Sequence, residues 1–163
     1  MASTVFPAAS AASKTAFRTT LTSGTSYTVP AGVTYLNVTL IGGGGGGGSM
    51  PATTVDSGTL AAGNGGQIVS STLSATAGNS IAYAIGAGGT AGNGGSSGST
   101  GGTTTFTGAT SAVGGNGAPN PSTGGRNGTN YLSAVNGGQP AGGGSNTDAG
   151  TGGSGSIIVE YWA

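Results

Sequence analysis

Few residues of this chain could do chemistry, and their types narrow the choice at once. The sequence holds three acidic residues, Asp56, Asp148 and Glu160, and three basic ones, Lys14, Arg18 and Arg126, with no histidine and no cysteine. A Ser–His–Asp or Cys–His nucleophile is therefore excluded by composition. Paired-carboxylate catalysis needs two acids at one site. Glu160 belongs to a strand-like run, and Asp56 and Asp148 are far apart in sequence. Soft and imidazole ligands for a transition metal are missing. No Gly-Lys-Ser/Thr closes a phosphate loop, and matches to G-x-G-x-x-G carry no information inside polyglycine. Residues 143–148 faintly match a calcium-binding nonapeptide, but Asn146 replaces its glycine and no tandem copy follows. Asn37 and Asn127 fit the glycosylation pattern, which has little weight without a secretory signal. The expectation is a protein that is not an enzyme and uses no metal or cofactor.

What remains is the chemistry of contact. Residues 126–135 form the longest insert between the glycine clusters of the C-terminal part. This insert holds Arg126, the only cation beyond Arg18, and Tyr131, the only aromatic between Phe106 and the final apolar run. Tyr131 can stack on a sugar or pack on a protein while Arg126, Asn127 and Asn130 hydrogen-bond, and such anchors commonly dominate interfaces. The competing reading makes Tyr131 and Leu132 a cap over neighbouring chain, since single apolar surface residues are ordinary. Further candidates are Met50, Thr54 and Asp56 in the glycine-free stretch 49–57, Asn120 in 118–123, and Asn146 and Asp148 in 145–151. At the N-terminus, Val5 and Phe6 could dock residues 1–16 onto a partner; otherwise this arm is a frayed end.

The elements that must position these residues are unusual. Glycine supplies 39 of 163 residues, roughly three times the ordinary share. The net charge is zero, which argues against nucleic acid and gives no attraction to anionic lipid. Charged residues make up 4%, and valine, isoleucine and threonine recur in short alternating runs. Disorder instead goes with high net charge and few β-branched residues. Residues 1–18 lack the charged start and apolar core of a signal peptide, and no stretch suits a membrane span.

Alternation predicts strands at 17–21, 26–29, 33–41, 67–73, 80–85, 103–107 and 157–162. In 35–41, Leu36, Val38 and Leu40 share one face, with Tyr35, Asn37 and Thr39 on the other. That strand runs straight into the glycine run 42–48. In polyproline-II geometry, with three residues per turn, such a run reaches about 22 Å without internal hydrogen bonds. Every N–H and C=O then needs an outside partner, which neighbouring glycine rods can supply. The clusters lack a strict three-residue period, so a collagen triple helix is excluded. Ala-Gly-Asn-Gly-Gly occurs at 62–66 and 91–95, and Asn-Gly also at Asn116, Asn127 and Asn136; these read as tight turns between rods. The expected fold is mainly β with polyglycine-II helices and no α-helix of note. A small base of short antiparallel strands carries a packed polyglycine-II bundle. The expected division is an arm, 1–16, and one glycine-rich domain, 17–163.

Residues 27–33, Tyr-Thr-Val-Pro-Ala-Gly-Val, followed by 36–41 and the glycine run, resemble the opening of the glycine-rich domain of bacteriophage tail-fibre proteins. Residues 77–89 are similar to its middle segment, Gly101-Gly102-Thr103-Thr104-Thr105-Phe106 to its threonine–aromatic strand, and 155–162 to its closing strand. The resemblance covers roughly 17–163 in the same order. It implies a sandwich of polyglycine-II rods as in tail-fibre-tip adhesins, whose distal loops touch the host. The 163 residues are fewer than in those adhesins, and no long attachment domain is expected among them. By this resemblance it is a virion protein made in the host cytoplasm. Its partners would be other fibre or capsid proteins and a bacterial surface receptor, either a glycan or an outer-membrane protein. No nucleic acid and no membrane insertion are expected, and a homo-oligomer is compatible. The alternative is a capsid decoration or fibre-joining subunit held by the N-terminal arm.

Overall fold

The alternating runs become seven strands in a computed structural model that describes residues 14–49, 62–119 and 150–163. They are β1 (Ala16–Leu21), β2 (Ser26–Thr28), β3 (Tyr35–Ile41), β4 (Ile68–Ser74), β5 (Ser80–Ala84), β6 (Thr105–Phe106) and β7 (Ser156–Trp162). There is no α-helix among the described residues. Turns fall where glycine takes a positive φ: Gly32 at 77° closes the Pro30-Ala31-Gly32 turn, and Gly78 at 80° sits between β4 and β5.

Two antiparallel sheets result. One has the order β1-β7-β3-β4 and the other β2-β5-β6. The apolar faces of both meet in a core of Val29, Val33, Leu36, Val38, Leu40, Tyr83, Phe106, Ile157 and Val159. Tyr83 stacks on Phe106 at 6.3 Å, and its hydroxyl donates to the Ser23 carbonyl at 2.7 Å. Each buried Leu or Val side chain contributes roughly 1.5–3 kcal/mol. This half is an ordinary sandwich, held by side chains.

Beyond Ile41 the mode of packing changes. The N–H groups of Gly42 and Gly45 donate to the carbonyls of Gln67 and Asn64 at 2.9 and 2.8 Å. Those of Gly43 and Gly46 reach Gly102 and Ser99, both at 2.9 Å. Those of Gly44 and Gly47 reach Gly153 and Gly150 at 2.8 and 2.9 Å. Successive residues thus address three different segments, and the pattern repeats every third residue, the signature of threefold polyglycine-II. The carbonyls of Gly43 and Gly46 accept from Gly115 and Ala118, and those of Gly44 and Gly47 from Gly89 and Gly92.

Among the described residues, five rods therefore surround the central one: 62–67, 113–119, 96–102, 86–92 and 150–155. Rods 62–67, 96–102 and 150–155 run towards the sheets and take the central N–H groups. Rods 86–92 and 113–119 run away from the sheets and donate to its carbonyls. The outer rods also bond to one another, those running towards the sheets donating to those running away, as Gly101 N–H to Gly115 O and Gly152 N–H to Gly89 O illustrate, at 2.9 and 2.8 Å. Glycine is obligatory in the centre. A Cβ on Gly42, Gly45 or Gly48 would collide with the carbonyls of Val113, Asn116 or Pro119, and one on Gly43 or Gly46 with those of Ala87 or Thr90.

The junction of the two halves is Thr104, which is fully buried. Its hydroxyl donates to the Ile41 carbonyl at 2.7 Å and accepts from Gly86 N–H at 3.0 Å. It ties the end of β3 to the start of the 86–92 rod. Two sequence-based turn expectations are corrected. Residues 62–66 form a rod, with Asn64 N–H donating to Asn116 O at 2.8 Å, and Asn116 is itself within a rod. Only the second Ala-Gly-Asn-Gly-Gly copy turns, with Gly94 and Gly95 at φ 60° and 88°. In the first copy the hydrogen-bond partners are other rods, so no local reversal is needed.

Candidate functional site

The residues singled out for contact, Met50, Thr54, Asp56, Asn120, Arg126, Asn127, Asn130, Tyr131, Asn146 and Asp148, lie outside the described residues, as do Val5 and Phe6. The described residues next to these stretches are informative. Ser49 and Ala62 flank 50–61, and Pro119 and Gly150 flank 120–149. All four stand at the rod ends away from the sheets. Pro119 is beside Gly48, the Gly150 carbonyl accepts from Gly47 N–H at 2.9 Å, and Gly63 abuts Gly45 and Gly46. The described residues that flank both stretches thus meet at a single end of the bundle.

That end is fastened by Ser49, which is fully buried. Its hydroxyl accepts from the N–H groups of Gly95 and Ser96 at 3.0 and 3.3 Å, and its own N–H donates to Ser96 O at 3.0 Å. One side chain therefore holds the 93–96 reversal against the tip of the central rod.

A second concentration of functional groups lies on the outer face of the larger sheet. The register aligns Arg18, Glu160, Asn37 and Thr72 in one row across β1, β7, β3 and β4. Arg18 Nε lies 3.7 Å from Glu160 Oε1, and Thr72 Oγ1 donates to Asn37 Oδ1 at 2.8 Å. The next row places Thr20, Ile158, Thr39 and Ser70 together, with the Thr39 and Ser70 hydroxyls 2.9 Å apart. Asn37, Thr39, Ser70, Thr72 and Glu160 border a shallow depression of about 310 Å³. Tyr35 and Trp162 each lie two residues beyond the paired Asn37 and Glu160, on the same face, and both are exposed. Alternation in the sequence placed Tyr35, Asn37 and Thr39 on one face. It could not align Glu160, Arg18 and Trp162 with them, because register is a tertiary property.

On the inner side, Phe17 stacks on Tyr161 at 5.2 Å between ring centroids. Burial raises the Tyr27 hydroxyl above its ordinary pKa, with Tyr161 adding to the effect. Among the described residues no three His, Cys, Asp or Glu side chains group to hold a metal ion. No helix there is long and apolar enough to cross a membrane.

A two-sheet sandwich prolonged into a threefold-bonded glycine bundle defines a glycine-rich β architecture. The family model for the glycine-rich domain matches residues 19–157, so the chain belongs to that family. The matched span runs from β1 to β7 and contains every rod. No curated protein matches the chain.

Proposed function

We propose that this protein is a bacteriophage virion component, a tail-fibre or tail-tip adhesin that grips the host surface through loops between its glycine rods. The observation that carries this reading is the convergence of Ser49, Ala62, Pro119 and Gly150 at one end of the bundle. A rigid base that presents two sequence-diverse segments together lowers the ordering cost of binding. Arg126, Asn127, Asn130 and Tyr131 are the proposed anchors, with Met50, Thr54, Asp56, Asn120, Asn146 and Asp148 around them. The resemblance of residues 27–48, 77–89, 101–106 and 155–162 to tail-fibre domains supports the phage assignment. Family membership supports the glycine-rich domain itself.

The test is the double variant Tyr131→Ala, Arg126→Ala in a purified particle, measured for adsorption to host cells and for melting temperature. Lost adsorption with an unchanged melt is the expected result. Unchanged adsorption removes this loop from the contact. If labelled antibody finds the protein in many copies on the capsid, the reading as a decoration subunit replaces it.

A further inference from the structure

We infer that the outer face of the β1-β7-β3-β4 sheet is a binding site for neutral carbohydrate, centred on Tyr35, Trp162, Asn37 and Glu160. This surface lies on the strands, away from the rod ends at Ser49, Ala62, Pro119 and Gly150, and the inference does not depend on the role of the stretches between them.

The argument begins with two aromatic side chains. Tyr35 is 62% exposed and Trp162 is 47% exposed, although Leu36 on the same strand as Tyr35 is fully buried. The alternation that buries Leu36, Val38 and Leu40 fixes Tyr35 outward. Tyr and Trp combine an apolar ring with a polar handle, which suits a surface that binds through both. The face of an aromatic ring carries negative quadrupole charge. The C–H bonds on one side of a pyranose ring present weak positive charge and an apolar patch, so the two are complementary.

The neighbouring row supplies the second half of the recognition. Two residues along a strand advance about 6.8 Å. A sugar ring lying on Tyr35 and Trp162 therefore brings its hydroxyls over Asn37, Glu160 and Thr72. These groups mix donors and acceptors, as a sugar hydroxyl requires: a carboxylate accepts, an amide does both, and a hydroxyl does both. They are held in place beforehand, Glu160 by Arg18 at 3.7 Å and Asn37 by Thr72 at 2.8 Å. The depression they border, about 310 Å³, is of the size that small-molecule sites take.

Charge selects the class of ligand. Among the described residues, Arg18 and Glu160 are the only charged residues within the four strands of this face, and they pair with each other. The face therefore lacks the excess positive charge that a nucleic acid or phosphate would need. The polar rows of Thr, Ser and Asn are equally unsuited to an apolar protein partner.

The sequence contains a single tryptophan, so its fluorescence reports on this site alone. The experiment titrates the purified full chain with neutral gluco-, galacto- and manno-configured oligosaccharides while following Trp162 emission. At least one series is expected to give a saturable change at about 1 mM, a dissociation constant that leaves room for tenfold losses to be read. Tyr35→Ala should weaken that binding by about tenfold or more, and Asn37→Ala by a similar factor, with unchanged melting temperature. Val113→Ala, on an outer rod, should bind as wild type. No saturable change with any oligosaccharide up to roughly 20 mM overturns the inference. Equal binding by the Tyr35→Ala, Asn37→Ala double variant also overturns it. So does self-association in sedimentation that Tyr35→Ala abolishes, which would make the face an interface between copies. Because the readout uses isolated protein, its failure leaves the host-adsorption test of the loops untouched.

Discussion

The sheets and the rods of this protein solve the same problem in opposite ways. Both must pair buried backbone N–H and C=O groups. In the sheets, strand ladders do this, and stability comes from Leu36, Leu40, Phe106 and Ile157 packed between two layers. In the bundle there is almost nothing between the rods. Central residues 42–49 are all buried, yet the contacts around them are backbone hydrogen bonds and Cα–H groups against carbonyls. The sandwich can relax around a lost methyl group because side chains repack. The glycine run at the centre of the bundle has no side chains to move, so its tolerance for added atoms is close to zero.

The largest effect expected from this contrast is Gly45→Val. Its Cβ would collide with the Asn116 carbonyl oxygen, and neither backbone can retreat without breaking bonds to other rods. We expect no folded protein, judged by solubility and a thermal melt. A variant melting at the wild-type temperature would show that the run is not packed. At the outer position Asn116→Ala, whose side chain is exposed, the change should stay within about 0.5 kcal/mol.

In the sheets, Leu36→Ala removes a fully buried side chain and should destabilise by about 2–5 kcal/mol without abolishing folding. Chemical denaturation measures this. A loss as complete as that of Gly45→Val would erase the distinction between the two halves.

The junction should give an intermediate value. Thr104→Val keeps the shape but leaves Ile41 O and Gly86 N–H without their buried partner. About 1–3 kcal/mol is expected. Amide exchange in the variant should accelerate at Gly86 before it does in β3.

The smallest effect is a pH dependence in the core. Burial raises the Tyr27 pKa, and Tyr161 raises it further. The native state therefore keeps this proton at a pH where the unfolded chain has lost it. The contribution is fully present below about pH 10, the unfolded value, and is lost as pH rises through the native pKa. Tyr27→Phe should flatten the alkaline decline in stability relative to wild type. Parallel declines in the two proteins would remove Tyr27 from the effect.

Much of this fold was legible because side chains declare it. Period-two alternation located all seven strands to within a residue or two, and it placed Leu36, Val38 and Leu40 inward. The last strand, rich in Ile and Val, was bound to pair and pack, and β7 lies between β1 and β3. The contact residues around Arg126 and Tyr131 were chosen from composition and spacing alone, and they fall outside the described residues. The outer sheet face was half legible: Tyr35 and Asn37 share a face by alternation, but Glu160 and Arg18 join them only through pairing across strands distant in sequence.

By itself the sequence determined the strands, the faces they bury and where the central rod begins. It did so because apolar and polar side chains at fixed spacing leave few alternatives. Tertiary structure alone decided which rod bonds to which, and whether a glycine segment is a rod or a turn. Ala-Gly-Asn-Gly-Gly shows this directly: the first copy lies wholly in a rod at 62–66, whereas the second ends its rod at Gly92 and reverses from Asn93 on. Glycine has no side chain to bias φ and ψ, so the same five residues fit either form. The Gly45 N–H, which donates to Asn64 O, and the Asn116 carbonyl, which accepts from Asn64 N–H, make the first a rod. The Ser49 hydroxyl, bonded to Gly95 and Ser96, holds the second as a turn.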